Sequence, residues 1–166
     1  LKSVTQTLKD LKTKILDTRK TCPSIRFLDK RAVKIGGGEN HRHGLYDAMM
    51  IKDNHIDFSG SIKQAILNCQ KYINKKNIKI IIEVRDFLEL DKVLQIGQID
   101  RILLDNFTIE ETQKAVEIVN KKYSLESSGN MNLDNIRPYA MCGVNYISIG
   151  SLTHSVKNID LSMQCI

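Results

Sequence analysis

Glu83 closes the run Ile-Ile-Ile-Glu, and Asp105 closes Ile-Leu-Leu-Asp. Carboxylates at neighbouring strand ends can accept from ribose hydroxyls, hold Mg²⁺ directly or through water, or share a proton. The plain alternative for Asp105 is helix capping, a role that Asn106 or Thr108 could fill equally well. A set of cations falls at similar places. Arg19 and Lys20 follow an early apolar run, His41 and Arg42 follow Gly36-Gly37-Gly38, and Lys52 directly continues Ala-Met-Met-Ile. Arginine forks grip carboxylates in bidentate fashion and lysine adds a point charge, so five such donors together suit a ligand with two carboxylates or several phosphates. Taken singly, Arg and Lys are ordinarily solvated surface groups. The third set is small: Ser127-Ser128-Gly129, then Gly150-Ser151 with His154. At strand ends such residues let backbone N–H groups approach an anion, helped by a helix N-terminus; alone, each is only a turn. His43 and His55 stand singly and receive no chemistry, since no Ser-His-Asp order or Cys-His pair accompanies them.

These groups need elements to hold them. Short apolar runs occur at Ile15–Leu16, Ala48–Ile51, Ile78–Ile82, Ile102–Leu104, around Leu125 and at Tyr146–Ile149. Their polar ends, Asp17, Lys52, Glu83, Asp105, Ser128 and Gly150, are spaced by 35, 31, 22, 23 and 22 residues. Helical patterns lie between. Ile62, Ala65, Ile66, Cys69, Tyr72 and Ile73 share one face, and Ile109, Thr112, Val116 and Val119 share another. Strand alternating with helix predicts a parallel sheet of βα units. A full barrel of eight units takes roughly 250 residues. The 166 here predict an open or incomplete β/α barrel of six to seven strands, residues 15–166. A doubly wound sheet is the alternative, and it too would gather its site at strand ends.

Residues 1–14 read as a leading amphipathic helix, with Leu1, Val4, Leu8, Leu11 and Ile15 at helical spacing. It has no cap and no initiator Met, and reads as the remnant of an inter-domain connection whose exposed apolar side would favour aggregation. Pro23 and Pro138 sit where helices would start.

Composition bounds the rest. With 42% hydrophobic and 27% charged residues the chain is globular in type. No apolar run approaches the ~20 residues that span a bilayer, and the first residues carry no signal-peptide h-region. Four cysteines lie far apart without metal spacing, so they read as reduced thiols of a cytoplasmic protein. The net charge of +6 is local. Residues 1–42 hold eleven basic and four acidic side chains, while the other 124 hold fourteen and fifteen. Those cations sit among glycines and strand ends, aromatics are only 5% and Trp is absent, which argues against nucleic acid. A small polyanion fits better.

With these residues in view, the chain resembles the quinolinate phosphoribosyltransferase family, also called carboxylating nicotinate-nucleotide pyrophosphorylase. Asp17-Thr-Arg-Lys-Thr21, Lys34-Ile-Gly-Gly-Gly-Glu-Asn-His-Arg42, Gly44-Leu-Tyr-Asp47 and Ile51-Lys-Asp-Asn-His55 carry the likeness. Leu104-Asp-Asn106, Glu126-Ser-Ser-Gly129 and Ile149-Gly-Ser-Leu-Thr-His-Ser155 continue it in order, so that it covers residues 14–162.

The resemblance implies a pentosyltransferase of NAD biosynthesis. Quinolinate and phosphoribosyl pyrophosphate would give nicotinate mononucleotide, pyrophosphate and CO₂, with Mg²⁺. It also implies roles. Arg19, Lys20, His41, Arg42 and Lys52 match positions that hold the quinolinate carboxylates and the pyrophosphate region. Glu83 and Asp105 match those at the ribose hydroxyls and the metal, which with Lys52 makes these three the catalytic candidates. Ser128, Gly129, Gly150 and His154 match the phosphate-binding end. In the family an N-terminal α/β sandwich domain precedes the open barrel, closes over the partner subunit's barrel and supplies a further arginine. Nothing in these 166 residues matches that domain, while a homodimer or larger homo-oligomer is implied for the full-length form. A catalytically silent barrel fragment that binds phosphoribosyl ligands, or a relative with another acceptor, stays open. Two departures are visible: Glu39 where His is common, and Asn130 where a second Gly is usual.

Overall fold

A computed structural model describes residues 2–73, 78–156 and 160–165. Six strands form one parallel sheet: β1 (Lys14–Leu16), β2 (Ala48–Ile51), β3 (Lys79–Val84), β4 (Arg101–Asp105), β5 (Ser124–Ser128) and β6 (Tyr146–Ser148). Their order is β1-β6-β5-β4-β3-β2, with every pair parallel. From β2 to β6, strands adjacent in sequence are adjacent in space, and the last pairs with the first. The order never reverses, so the switch point that defines a doubly wound sheet is missing. This is a β/α barrel interrupted between β1 and β2, as the repeat spacing predicted.

Residues 39–42 enter that interruption. Glu39 bridges Leu16 in parallel fashion, its N–H donating to the Ile15 carbonyl at 2.8 Å. The Arg42 guanidinium reaches the Ala48 carbonyl of β2 at 3.4 Å. The unusual Glu39 pairs with Lys14 at 2.6 Å on the surface, so this departure changes a loop contact.

The helices are α1 (Lys2–Thr7), α2 (Arg26–Ile35), α3 (Asp53–Ser59), α4 (Ile62–Ile73), α5 (Phe87–Ile96), α6 (Ile109–Val119), α7 (Ile136–Met141) and α8 (Ser151–His154). Local chemistry fixes their starts. Asp86 caps α5 by accepting from the Glu89 N–H, and Thr108 with Glu111 forms a reciprocal capping box on α6. Pro138 lies in the first turn of α7, where its missing N–H costs nothing.

Two helix expectations need correction. The leading helix stops at Thr7, well short of residue 14, because the next residues turn and Thr13 anchors β1 by donating to the Val144 carbonyl at 2.7 Å. Leu8 is buried and Val4 and Leu11 pack against the core, so their apolar side is not an exposed aggregation surface; Leu1 lies outside the described residues. On α4, Tyr72 is 64% exposed, while Ile62, Ala65, Ile66 and Ile73 carry the buried face.

Period-two alternation divides each strand between two environments. Ile15, Ile51, Ile80, Ile82, Ile102, Leu104, Leu125 and Ile147 point outward into one core shared with the helices. Ala48, Met50, Ile81 and Leu103 form a separate small apolar cluster on the other face. That same face carries Glu83, Asp105, Glu126, Ser128 and Ser148, and toward the C-terminal ends of the strands it is polar.

Candidate active site

A cavity of about 810 Å³ opens at the C-terminal ends of the strands. All the candidates from sequence line it: Arg19, Lys20, His41, Arg42 and Lys52; Glu83 and Asp105; Ser128, Gly129, Gly150 and His154. Strand ends, and the loops directly after them, supply the set, which is where barrel sites are built.

The acidic side is half satisfied. β3 runs one residue past Glu83 to Val84, so Glu83 is the last inward-facing residue of its strand and not the strand end expected. Its Oε2 accepts from Lys52 Nζ at 2.5 Å. Lys52 is therefore paired, and its own N–H donates to His55 Nδ1 at 3.0 Å, which gives His55 a structural task at the start of α3. Asp105 ends β4 and accepts from Asn106 Nδ2 at 3.0 Å. Since Thr108 caps α6, capping does not explain Asp105. Each carboxylate keeps one oxygen without a protein hydrogen bond among the described residues. No group of three or more His, Cys, Asp or Glu converges there, again among the described residues. Two carboxylates suit Mg²⁺, which ordinarily takes one or two from protein and fills its octahedron with water and substrate phosphate oxygens.

The cationic side is unsatisfied. Arg19 and Lys20 are exposed, and with Arg42 they have no carboxylate partner among the described residues. Arg42 is half-buried; burial first, and then the charge of Arg19, lower its guanidinium from the ordinary value. Cations without an ion-pair partner, gathered at the mouth of one cleft, are what an anionic ligand would need.

The small residues are needed for space. Gly129 has φ +100° and a Cβ there would collide with the Asn106 side chain. Asn130 follows at φ +50°, a left-handed conformation that asparagine tolerates, which accounts for it standing where glycine is usual. A Cβ on Gly150 would lie 3.0 Å from His154 Nε2 and 3.5 Å from Lys20 Cδ. The helix after it, α8, is a single turn. Thr153 ties that turn to the Lys20 carbonyl through a 2.6 Å hydrogen bond.

Two supporting clusters escaped the sequence reading. Behind the wall, Lys30 is 1% exposed and its Nζ donates to Asp17 Oδ1 at 2.6 Å and to the His41 carbonyl at 2.8 Å. Asp17 also accepts from the His41 N–H at 2.7 Å and from Asn40 Nδ2 at 2.6 Å. Inside the barrel, Glu126 is fully buried between Arg101 at 2.9 Å and His41 Nε2 at 3.2 Å. Burial would raise its carboxyl, but the close approach of the His41 ring and the charge and hydrogen bond of Arg101 outweigh that and hold it below the usual range. Counting back by two from Ser128 reaches Glu126, a signal the sequence did contain.

The family model for the quinolinate phosphoribosyl transferase C-terminal domain matches residues 2–164. The chain is 41% identical over 166 residues to a Nicotiana tabacum quinolinate phosphoribosyltransferase [decarboxylating] 2a, mitochondrial, covering 90% of this chain and 47% of that protein. It is 42% identical over 157 residues to a probable nicotinate-nucleotide pyrophosphorylase [carboxylating] from Bacillus subtilis, covering 94% and 53%. A crystal structure of nicotinate-nucleotide pyrophosphorylase from Ehrlichia chaffeensis superposes with a TM-score of 0.89 at 46% identity, covering 96% of this chain and 57% of that one. The chain thus spans about half the length of the curated relatives it matches. It belongs to the quinolinate phosphoribosyl transferase family.

Proposed function

We propose that this member of the family forms the barrel half of a quinolinate phosphoribosyltransferase, joining quinolinate to the ribose of phosphoribosyl pyrophosphate with loss of CO₂. The observation that carries this reading is the convergence of unpaired Arg19, Lys20 and Arg42 on one cavity with two half-satisfied carboxylates. Three free cations and His41 suit two anionic reactants, and a dicarboxylate uses them better than a monocarboxylate.

In that reaction the bond from the anomeric carbon to pyrophosphate breaks, the leaving group takes the electron pair, and the pyridine nitrogen supplies the new bond. Positive charge develops on the ribose. Glu83 and Asp105 would stabilise it and accept from the ribose hydroxyls. The Lys52 ammonium holds Glu83 in place. Arg19, Lys20 and Arg42 would bind the anionic groups and set the two reactants against each other. CO₂ then leaves from the carbon beside the quaternary nitrogen; the electron pair of the broken C–C bond stays on that carbon, stabilised by the adjacent positive nitrogen, and a solvent proton bonds to it, so no side chain is assigned as an obligatory base. Glu83 and Asp105 would hold Mg²⁺, directly or through water, and the ion when bound offsets charge on pyrophosphate. Ser128, Gly129, Gly150 and His154 would take the ribose phosphate.

A reducing cytoplasmic setting is supported by four free cysteines. Among the described residues no helix is long and apolar enough to cross a membrane. A homo-oligomer is the assembly we propose for the full-length form, and exposed Phe27, Leu28 and Ile35 on α2 support it.

The test is turnover. The 166-residue chain is mixed with quinolinate, phosphoribosyl pyrophosphate and Mg²⁺, and nicotinate mononucleotide is measured against a protein-free control. Product above control is the expected outcome. No product, together with no binding of either reactant, overturns the reading.

A further inference from the structure

A wholly buried carboxylate beneath a cluster of unpaired cations needs a reason, and the contacts of Glu126 supply one. Its Oε2 accepts from Arg101 Nη1 at 2.9 Å, and Arg101 in turn lies over the Tyr146 ring at 3.9 Å from the centroid. Its Oε1 lies 3.2 Å from His41 Nε2, an ion-pair distance without hydrogen-bond alignment, and neither atom has another partner among the described residues. The second ring nitrogen, His41 Nδ1, accepts the backbone N–H of Arg42 at 2.7 Å. An accepting Nδ1 carries no proton, so the ring proton belongs on Nε2, facing Glu126. The peptide on either side of that ring is held as well, by Asp17 on the His41 N–H and by Lys30 on its carbonyl.

We infer that Glu126 is a positioning residue for the anion site, acting through His41: it keeps the imidazole proton on Nε2, leaves Nδ1 to pin the Arg42 main chain, and so fixes the arginine that faces the ligand. Arg101 holds Glu126 in place from the opposite side. Among the described residues the side chain of Arg42 makes only the 3.4 Å hydrogen bond to the Ala48 carbonyl, so its aim depends on its backbone.

This inference rests on the dicarboxylate reading of the site for its functional consequence and on the contacts alone for the tautomer. Two measurements separate them. Long-range ¹H–¹⁵N NMR of the unmodified chain reports which nitrogen of His41 is protonated; Nε2–H supports the inference, and Nδ1–H overturns it. Titration with pyridine-2,3-dicarboxylate then compares the unmodified chain with Glu126→Gln and Glu126→Asp. Gln can present either an amide N–H or an oxygen to Nε2, so Glu126→Gln is expected to mix the two tautomers and weaken the dicarboxylate about tenfold, with the loss in KM and little in kcat. Glu126→Asp keeps the charge and is expected to recover part of it. An unchanged tautomer and unchanged affinity in Glu126→Gln overturn the inference while leaving the dicarboxylate site intact. If the unmodified chain binds no dicarboxylate, the functional reading fails and the NMR result still decides the tautomer. Should Glu126→Gln not fold, the tautomer of the unmodified chain is the deciding result.

Discussion

Lys30–Asp17 and Lys52–Glu83 are the same chemical pair, at 2.6 and 2.5 Å, in two regions of one barrel. The first lies behind the wall made by β1 and residues 39–42, with both side chains no more than 2% exposed. There both oxygens of Asp17 are engaged, by Lys30, the His41 N–H and Asn40. The second sits at the mouth of β2 and β3, with Lys52 41% exposed and Glu83 11%. There one carboxylate oxygen is left over. Saturation marks a group that holds the fold; an unused valence beside unpaired cations marks a group that meets a ligand. Distance alone does not tell the two apart.

Breaking the saturated pair tests this most severely. Lys30→Met is expected to lower stability by about 3–5 kcal/mol in urea denaturation, because Asp17 is left buried and unpaired. A loss under about 1 kcal/mol would erase the contrast. At the mouth the opposite is expected. Arg42→Ala should remove quinolinate binding, a drop on the order of 100-fold or more by calorimetry, with far-UV circular dichroism unchanged. Glu83→Gln should lower turnover by roughly 100-fold and affinity much less, as fits charge stabilisation in the transition state. Equal losses in kcat and binding would make Glu83 a positioning group only. Gly129→Ala sharpens the picture at the phosphate end: φ of +100° and the Asn106 contact predict about 1–2 kcal/mol of destabilisation and weaker phosphoribosyl pyrophosphate binding.

The smallest effect belongs to a pair in neither region. Arg137 grips Asp10 with two hydrogen bonds of 2.9 and 2.7 Å, and the Asp10 carboxyl is lowered to about 2 from the model-compound 3.8, chiefly by Arg137. A depressed folded-state value gives stability that is present above the unfolded value of 3.8 and lost as pH falls through about 2. Both groups are exposed, so Asp10→Asn should cost little at neutral pH and less still in high salt. A salt-independent loss would show that the pair acts as a buried one.

The strands and their chemical ends were legible because short apolar runs stop abruptly on a charge at Asp17, Lys52, Glu83 and Asp105 and on a small residue at Ser128 and Gly150. Gly-Gly-Gly and Ser-Ser-Gly marked the loops, and φ +100° at Gly129 shows why glycine is needed there. Lys30 was not legible. On α2 its neighbours Phe27, Leu28 and Ile35 are exposed while Lys30 is buried beside Val33, against the usual polarity, and its partners Asp17 and the His41 carbonyl, 13 and 11 residues away, make that tolerable. The leading helix was over-read because Leu8, Leu11 and Ile15 keep helical spacing while serving a turn and a strand. Glu83 was one residue early as a strand end, since Val84 adds a further buried, outward-facing position.

The pairing of β1 with β6 has a consequence for how the chain acquires this shape. Lys14 meets Tyr146 across 132 residues, whereas β2 to β5 each pair with the strand that follows in sequence. Contacts so distant along the chain are slow to form, because a large loop must close before they give any return. During synthesis, β1 emerges before the other five strands and waits without its sheet neighbour until β6 has followed. The Asp17 wall and the first cations ride on that strand, so this half of the cleft is assembled last although its residues are made before those of the other half.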